Sequence, residues 1–437
     1  MAKKSQLSPA PVPPAHAWAF KPRFRRHAFG WRSQPAVQRV KEAVTEIRKV
    51  ARKDPVLAAA GAVIFLERVS PALEQVDSSS GAIGSAVNRA IDDLAAIIAS
   101  APVDRATREA WLERLWCAHE KDEVPYIERL GDRWGDLCAS PELASAWADR
   151  LLESTRLAMS PGPQSRGFFR GTSACLSALY AARRFDEVVG LLAHETIWPY
   201  RQWAVKALVA QGRKADAIRF AESCRGRNTN DYAVDAACEE ILLSSGFADE
   251  AYRRYALRPV DGGSYAAAFR RVISKYPHKS RRDVLNDLAT TTPGREGKWF
   301  AAAKDAGLLD EALVLARTSP TDPNTLARAA RDLAELQPAF AAEAGLLALR
   351  GFAQGLGFDV TAQDVLAAFE STTGAAAAGG NVADVHRRIG ALLLEDGVGA
   401  EFVRRAIGHR LDGDLSTACA TTLASRSNVP IERIDKM

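Results

Sequence analysis

The densest concentration of side chains able to do chemistry lies in AWAFKPRFRRHAFGWRSQ, where Trp18, Phe20, Phe24, Phe29 and Trp31 alternate with Lys21, Arg23, Arg25, Arg26 and Arg32. Cations at this spacing can meet phosphates while the rings stack on exposed bases. A plainer outcome uses the same residues: the rings staple the segment across the first helices and the arginines stay solvated. Five large rings are costly to leave in water, so packing is expected to prevail. In the nucleic-acid alternative the contacts come from Arg23, Arg25, Arg26, Arg32, Trp18, Phe24 and Trp31, within a basic stretch covering 18–53. Residues 1–53 carry 13 Lys or Arg against two Glu, whereas the remainder carries 45 basic and 51 acidic side chains. Such asymmetry marks an arm with a task of its own. Four prolines in SPAPVPPA favour an extended chain over residues 1–15, and the arm before Ala36 is expected to be separable from the fold.

Other chemistry-bearing patterns fail on spacing. PGREGKW, starting at Pro293, has Gly294 and Gly297 separated by two residues instead of the four of a Walker A loop, and no Ser or Thr follows Lys298. SSSGAIGSAV at Ser78 contains no G-x-S-x-G elbow. In WCAHE, Cys117 and His119 lie two apart on a helix and point to different faces, a poor start for a metal site. Asp92–Asp93 and Glu239–Glu240 read as solvated helix faces. The pattern implies no catalytic constellation, no cofactor and no metal.

The elements that would carry these residues are helical. With 437 residues and 47% hydrophobic content, the chain can bury cores, and one solenoid satisfies that length as well as about three domains do. PVLAAAGAVIFL, starting at Pro55, stops at Glu67 and Arg68 and reads as a buried helix rather than a membrane span. The first twenty residues lack an apolar h-region, and a cytoplasmic setting with no membrane partner is expected. The six cysteines show no C-x-x-C pair and read as small core residues. Val37, Val40, Val44, Ile47 and Val50 form one stripe, and Trp203, Ala207 and Ala210 another. Asp54–Pro55 and Ser140–Pro141 each place an N-cap before a proline at the first helical position.

A unit repeats along the middle of the chain. RRFDEVVGLLA, GRKADAIRFAE, GFADEAYRRYA and GLLDEALVLA follow one plan, and aligning Val188, Ala217, Ala251, Val284 and Ala312 gives intervals of 29, 34, 33 and 28 residues. Helical hairpins at this period must stack, because none buries its apolar face alone. Gly212, Gly246 and Gly307 fall where one helix ends and the chain turns back.

This plan resembles the tetratricopeptide repeat, whose two helices meet around a glycine and whose second helix carries a small residue at a set place. Ala217, Ala251 and Ala312 match the small position, and Gly212, Gly246 and Gly307 the turn glycine. Arg183 departs from the pattern, and the proline expected near each repeat's end is absent. The pentatricopeptide family, which reads RNA one base per repeat, fits less well, since the intervals vary from 28 to 34. The tetratricopeptide resemblance implies inward-facing groove positions at Gln202, Lys206, Glu240, Lys304 and Asp305, whose mixed charge suits a protein or peptide partner with a polar tail.

The resulting expectation is an all-α chain: an α-solenoid of stacked antiparallel helical hairpins with helical N- and C-terminal flanking regions. It divides into an arm over 1–35, a helical region over 36–159 and repeats over 172–319. Capping helices over 320–370 and a helical end piece over 381–437 follow. The linkers are SPGPQSRGFFRGTS, starting at Ser160, and STTGAAAAGGN, starting at Ser371, the second expected to be mobile.

Overall fold

A computed structural model describes residues 16–160, 167–226, 231–258 and 264–410. Among these no β-strand occurs, and helices dominate from Ser33, three residues before the expected start. The expectations for residues 1–15, for Cys419 and for the end piece beyond 410 lie outside the described residues. The chain forms two compact units, Met1–Ile241 and Leu242–Met437, which part inside the helix Asp231–Leu243.

The first unit begins with long helices, Ser33–Ala51, Pro55–Leu73 and Ala82–Ser100, which pack on one another, and Arg105–Glu120, which packs on the second. Their caps follow from sequence: Asp54 accepts the Leu57 N–H at 2.9 Å, and Ser140 that of Leu143 at 3.2 Å. Val40, Val44 and Ile47 are buried as the stripe requires, with Val37 and Val50 half-buried. Pro55–Leu73 is long and apolar enough to cross a membrane, which the sequence pattern understated because Glu67 and Arg68 interrupt only its end. In this fold it is a core helix, with Val63, Phe65, Leu66 and Val69 fully buried.

Shorter helices follow. Trp134–Cys138 lies against Thr172–Ala181, which packs in turn on Pro141–Met159, Phe185–Leu191 and Trp198–Ala210; the last also meets Lys214–Glu222. On Trp198–Ala210 the buried face is Trp203, Ala204, Ala207 and Leu208; Ala210, the last residue of the helix, is exposed. In the second unit Tyr265–Lys275 contacts Arg281–Thr290 and Phe300–Asp305, and the latter pairs with Leu309–Thr318. Pro323–Leu333, Pro338–Ala353 and Ala362–Ala378 then form a three-helix group, followed by Val382–Leu393 and a helix over 400–410.

The repeated turn has one geometry. Arg183, Gly212, Gly246 and Gly307 all take left-handed backbone, with φ of 59°, 77°, 81° and 78°. In each case the next residue's N–H returns to the carbonyl five positions back: Arg184 to Leu179, Arg213 to Leu208, Phe247 to Leu242 and Leu308 to Ala303, all at 2.9–3.0 Å. This is the Schellman closure of a helix end. The anchors Val188, Ala217, Ala251, Val284 and Ala312 are all 0% exposed. The copy at Val284 reaches the same burial through another turn, with Pro277 breaking the helix and the Ser280 hydroxyl capping the Asp283 N–H at 3.1 Å.

Two expectations are corrected. The small-residue run from Ser371 is no mobile linker but the second half of Ala362–Ala378, because Thr372, Ala375 and Ala376 are fully buried. Gly345 makes this possible, since a Cβ there would sit 2.0 Å from the Thr372 hydroxyl oxygen. Cys138, Cys175, Cys224 and Cys238 are buried as expected, but Cys117 is exposed, on the face of its helix opposite buried His119.

Candidate functional site

From His16 onward the aromatic arm packs into the first core, where a separable arm was expected. The Glu46 carboxylate accepts the N–H groups of Ala19 and Phe20 at 2.7 and 3.1 Å, fixing the chain's entry. Trp18 lies on Gly61, where a Cβ would come within 2.1 Å of the indole, and Phe20 and Phe24 meet Phe65 edge-on at 5.7 and 5.0 Å between centroids. The His27 N–H donates to the Pro71 carbonyl at 3.0 Å, and the Asp77 N–H to that of Trp31 at 2.8 Å. Trp18 and Phe24 are therefore core side chains, 5% and 1% exposed, and unavailable to bases in this packing. Arg23 pairs with Glu42 at 3.2 Å and Arg26 with Glu74 at 3.5 Å; Arg25, Arg32 and Trp31 face solvent.

Of the groove positions, Lys206 stands in the most developed polar setting. Its ammonium lies 4.4 Å from the centroid of Trp203 and is attracted by Asp132 and Asp136. Burial of part of the side chain still pushes its pKa below the ordinary lysine value. More than a third of the residue remains in contact with water, so the shift carries little energy. Half-buried Asp132 is displaced upward by desolvation, against a hydrogen bond with Ser173 and the cations Arg129, Lys206 and Arg133. Asp92 binds both arginines, at 3.1 Å to Arg129 and 2.7 Å to Arg133.

Close helix approach creates this surface. The Ser177 hydroxyl accepts the Gly135 N–H at 2.9 Å and donates to the Asp132 carbonyl at 3.0 Å. A Cβ on Gly135 would fall 2.3 Å from the Ser177 carbonyl oxygen. Asp132, Ser173 and Ser177 were not singled out from sequence. The one available signal was the pair of small residues four apart in LGDRWGD, which lets one helix lie flush on another.

The remaining groove positions are less convergent. Half-buried Gln202 donates its amide to the Pro199 carbonyl at 2.9 Å. Glu240 is exposed beside buried Glu239, so that acidic pair is not a solvated face as expected. Lys304 and Asp305 belong to the second unit and pair with each other at 2.7 Å.

The fold also gathers a serine, an aspartate and a histidine that spacing did not reveal. Ser70, Asp122 and His119 are all at most 3% exposed. Ser70 donates its proton to Asp122, whose other oxygen accepts the Ile127 N–H at 2.8 Å, while His119 Nε2 faces the Arg170 carbonyl at 3.4 Å. A nucleophile must be bonded to its base and open to substrate. Here the hydroxyl is spent on the carboxylate and the group is sealed, so its work is to pin the loop after Glu120. Desolvation lowers the His119 pKa and raises that of Asp122. Among the described residues no group of three or more His, Cys, Asp or Glu side chains is arranged to hold a metal ion.

The chain matches no protein-family model and shows no significant similarity to a curated protein.

Proposed function

We propose that this chain is a non-enzymatic scaffold, an α-solenoid of tetratricopeptide-like hairpins that binds a protein or peptide. The observation that carries the reading is the recurrence of one turn and one buried anchor. Left-handed residues at 183, 212, 246 and 307 are each followed five positions later by a fully buried small or β-branched side chain. Stacked units of this kind present the first helix of each hairpin along a shared face, which is where such arrays bind. In the first unit Lys206 stands on such a first helix, beside Asp132, Asp136 and Ser173, a mixed-charge surface suited to a polar segment. Glu240 in the same unit, and Lys304 and Asp305 in the second, are the further positions assigned to partner contact.

Photo-crosslinking tests this reading. A crosslinker placed at Gln202 or Lys206 should capture a discrete partner from the native host, and Lys206→Glu should abolish the capture. The same group at Arg219, a solvated position on Lys214–Glu222, should capture nothing. Equal crosslinking from Arg219 would remove the face assignment.

A further inference from the structure

We infer that the recess around Trp31, Arg32, Gln34 and Lys41 is a binding site for single-stranded nucleic acid. This inference stands apart from the scaffold reading and does not depend on it. Trp31 and Arg32 close the arm, Gln34 and Lys41 project from the first turns of Ser33–Ala51, and together they border an open recess of about 710 Å³.

Three observations converge there. The first is the ring: of the five aromatic side chains of the arm, Trp18, Phe20 and Phe24 are buried and Phe29 is half-buried, while Trp31 is 72% exposed. Its backbone is held by the bond from the Asp77 N–H, so the ring is presented from a fastened segment. An indole face in water is a platform on which any base can stack.

The second is the charge. Glu42 is taken by Arg23 and Arg39, at 3.2 and 2.6 Å, and Glu46 by two backbone N–H groups. Among the described residues Arg32 and Lys41, which line the recess, and Arg25, Lys49, Arg52 and Lys53, elsewhere in the same stretch, have no acidic partner, and all six are exposed. The basic excess of the sequence thus survives folding as surface charge. Asp77 is the one carboxylate lining the recess, and it accepts the Ser79 N–H at 2.9 Å.

The third is the shape. An anionic bilayer would also attract these cations, but it takes protruding apolar groups. Here a single ring stands over a concavity edged by amides and a proline. A base can enter that space, with its phosphates toward Arg32 and Lys41.

The test uses the full chain and fluorescence anisotropy with labelled oligo(U) and oligo(dT) of about twelve nucleotides, a length within the usual site sizes. Binding should weaken as salt rises from about 50 to 200 mM. Trp31→Ala should weaken it about tenfold with the salt slope unchanged, and Trp31→Phe should restore most of the loss. Arg32→Glu with Lys41→Glu should weaken binding and lower the slope by about one to two, each lost phosphate contact counting about 0.7 on a single strand. Arg328→Glu, an exposed cation of the second unit, should change nothing. The inference fails if the unaltered chain does not bind at low salt, or if Trp31→Ala binds as well as the parent, which would mean general polyanion attraction. It also fails if Trp31→Ala loses binding to phosphatidylserine vesicles while keeping the oligonucleotide. Trp31 is 72% exposed, so circular dichroism and melting of the variants should match the parent.

Discussion

The arm with its first helices, residues 18–100, and the described part of the expected repeat zone, residues 172–319, are both helical yet stand on different physics. The former uses helices of 19 residues and large rings, with Phe65 receiving Phe20 and Phe24 from more than forty positions away. The latter uses short helices, such as the six residues of Phe300–Asp305 and the ten of Leu309–Thr318, joined by a turn that closes within six residues. The first region ties distant segments together through its rings; the second buries rings of its own, Tyr276, Trp299 and Phe300, but adds a locally closed turn and a buried anchor at each recurrence. Truncating a ring of the arm should therefore cost more than a substitution at one of the recurring anchors or turns.

The largest expected effect is at Phe24. Phe24→Ala should lower unfolding free energy by about 3–5 kcal/mol, the usual cost of emptying a buried aromatic site, measured by denaturant titration of the full chain. A loss below about 1 kcal/mol would mean that the arm lies on the core without supporting it.

Overpacking a repeat anchor should come next. Ala217 is fully enclosed where Val188 and Val284 occupy the corresponding places, so Ala217→Leu should cost about 1–3 kcal/mol. An equal effect from Arg219→Leu, on a solvated face, would deny the anchor its special position.

The turns offer a smaller, signed test. Gly212→Ala puts a Cβ on left-handed backbone and should cost about 1 kcal/mol, whereas Arg183→Gly relieves that same strain and should stabilise by about 0.5–1 kcal/mol. Opposite signs in thermal melting would show that the two positions are copies of one turn. Equal signs would break the equivalence.

The smallest effect is a pH dependence from the buried loop network. Burial holds the folded-state pKa of His119 below its unfolded value of about 6.5. As pH falls through 6.5 the unfolded chain binds the proton first, so stability declines from there down to the folded-state pKa. Asp122, raised by desolvation, acts with opposite sign at lower pH, where the folded state holds the extra proton. His119→Phe should flatten the upper part of the stability curve. An unchanged slope between pH 6.5 and 5.5 would place the titrating group elsewhere.

Much of the helical pattern was legible because its causes are local. Asp54 and Ser140 announce helix starts, Gly212, Gly246 and Gly307 announce ends, and the anchors recur at a period any reader can count. The run from Ser371 misled because alanine and glycine composition looks like a linker; only contact between Thr372 and Gly345 turns it into packed helix. The candidate site was legible in part. Lys206 was expected from the repeat register, but Asp132 and Ser173 belong to other elements, more than thirty residues from it, and the small-residue pair in LGDRWGD signals close helix packing without saying which residues become neighbours.

By itself the sequence determined the helix ends, the recurring turns, the small anchors and the basic excess of residues 18–53. Each depends on side chains within about five positions, or on charge that folding does not alter. The tertiary structure decided which of the arm's rings would be core and which would stand in water. It also decided that Ser70, His119 and Asp122 form a sealed brace, and that Glu46 would hold the arm's backbone instead of pairing with a cation. Those outcomes depend on which surfaces meet across dozens of residues. Pattern alone cannot rank such pairings, because burial, hydrogen bonding and charge are exchanged against water only when the partner is in place.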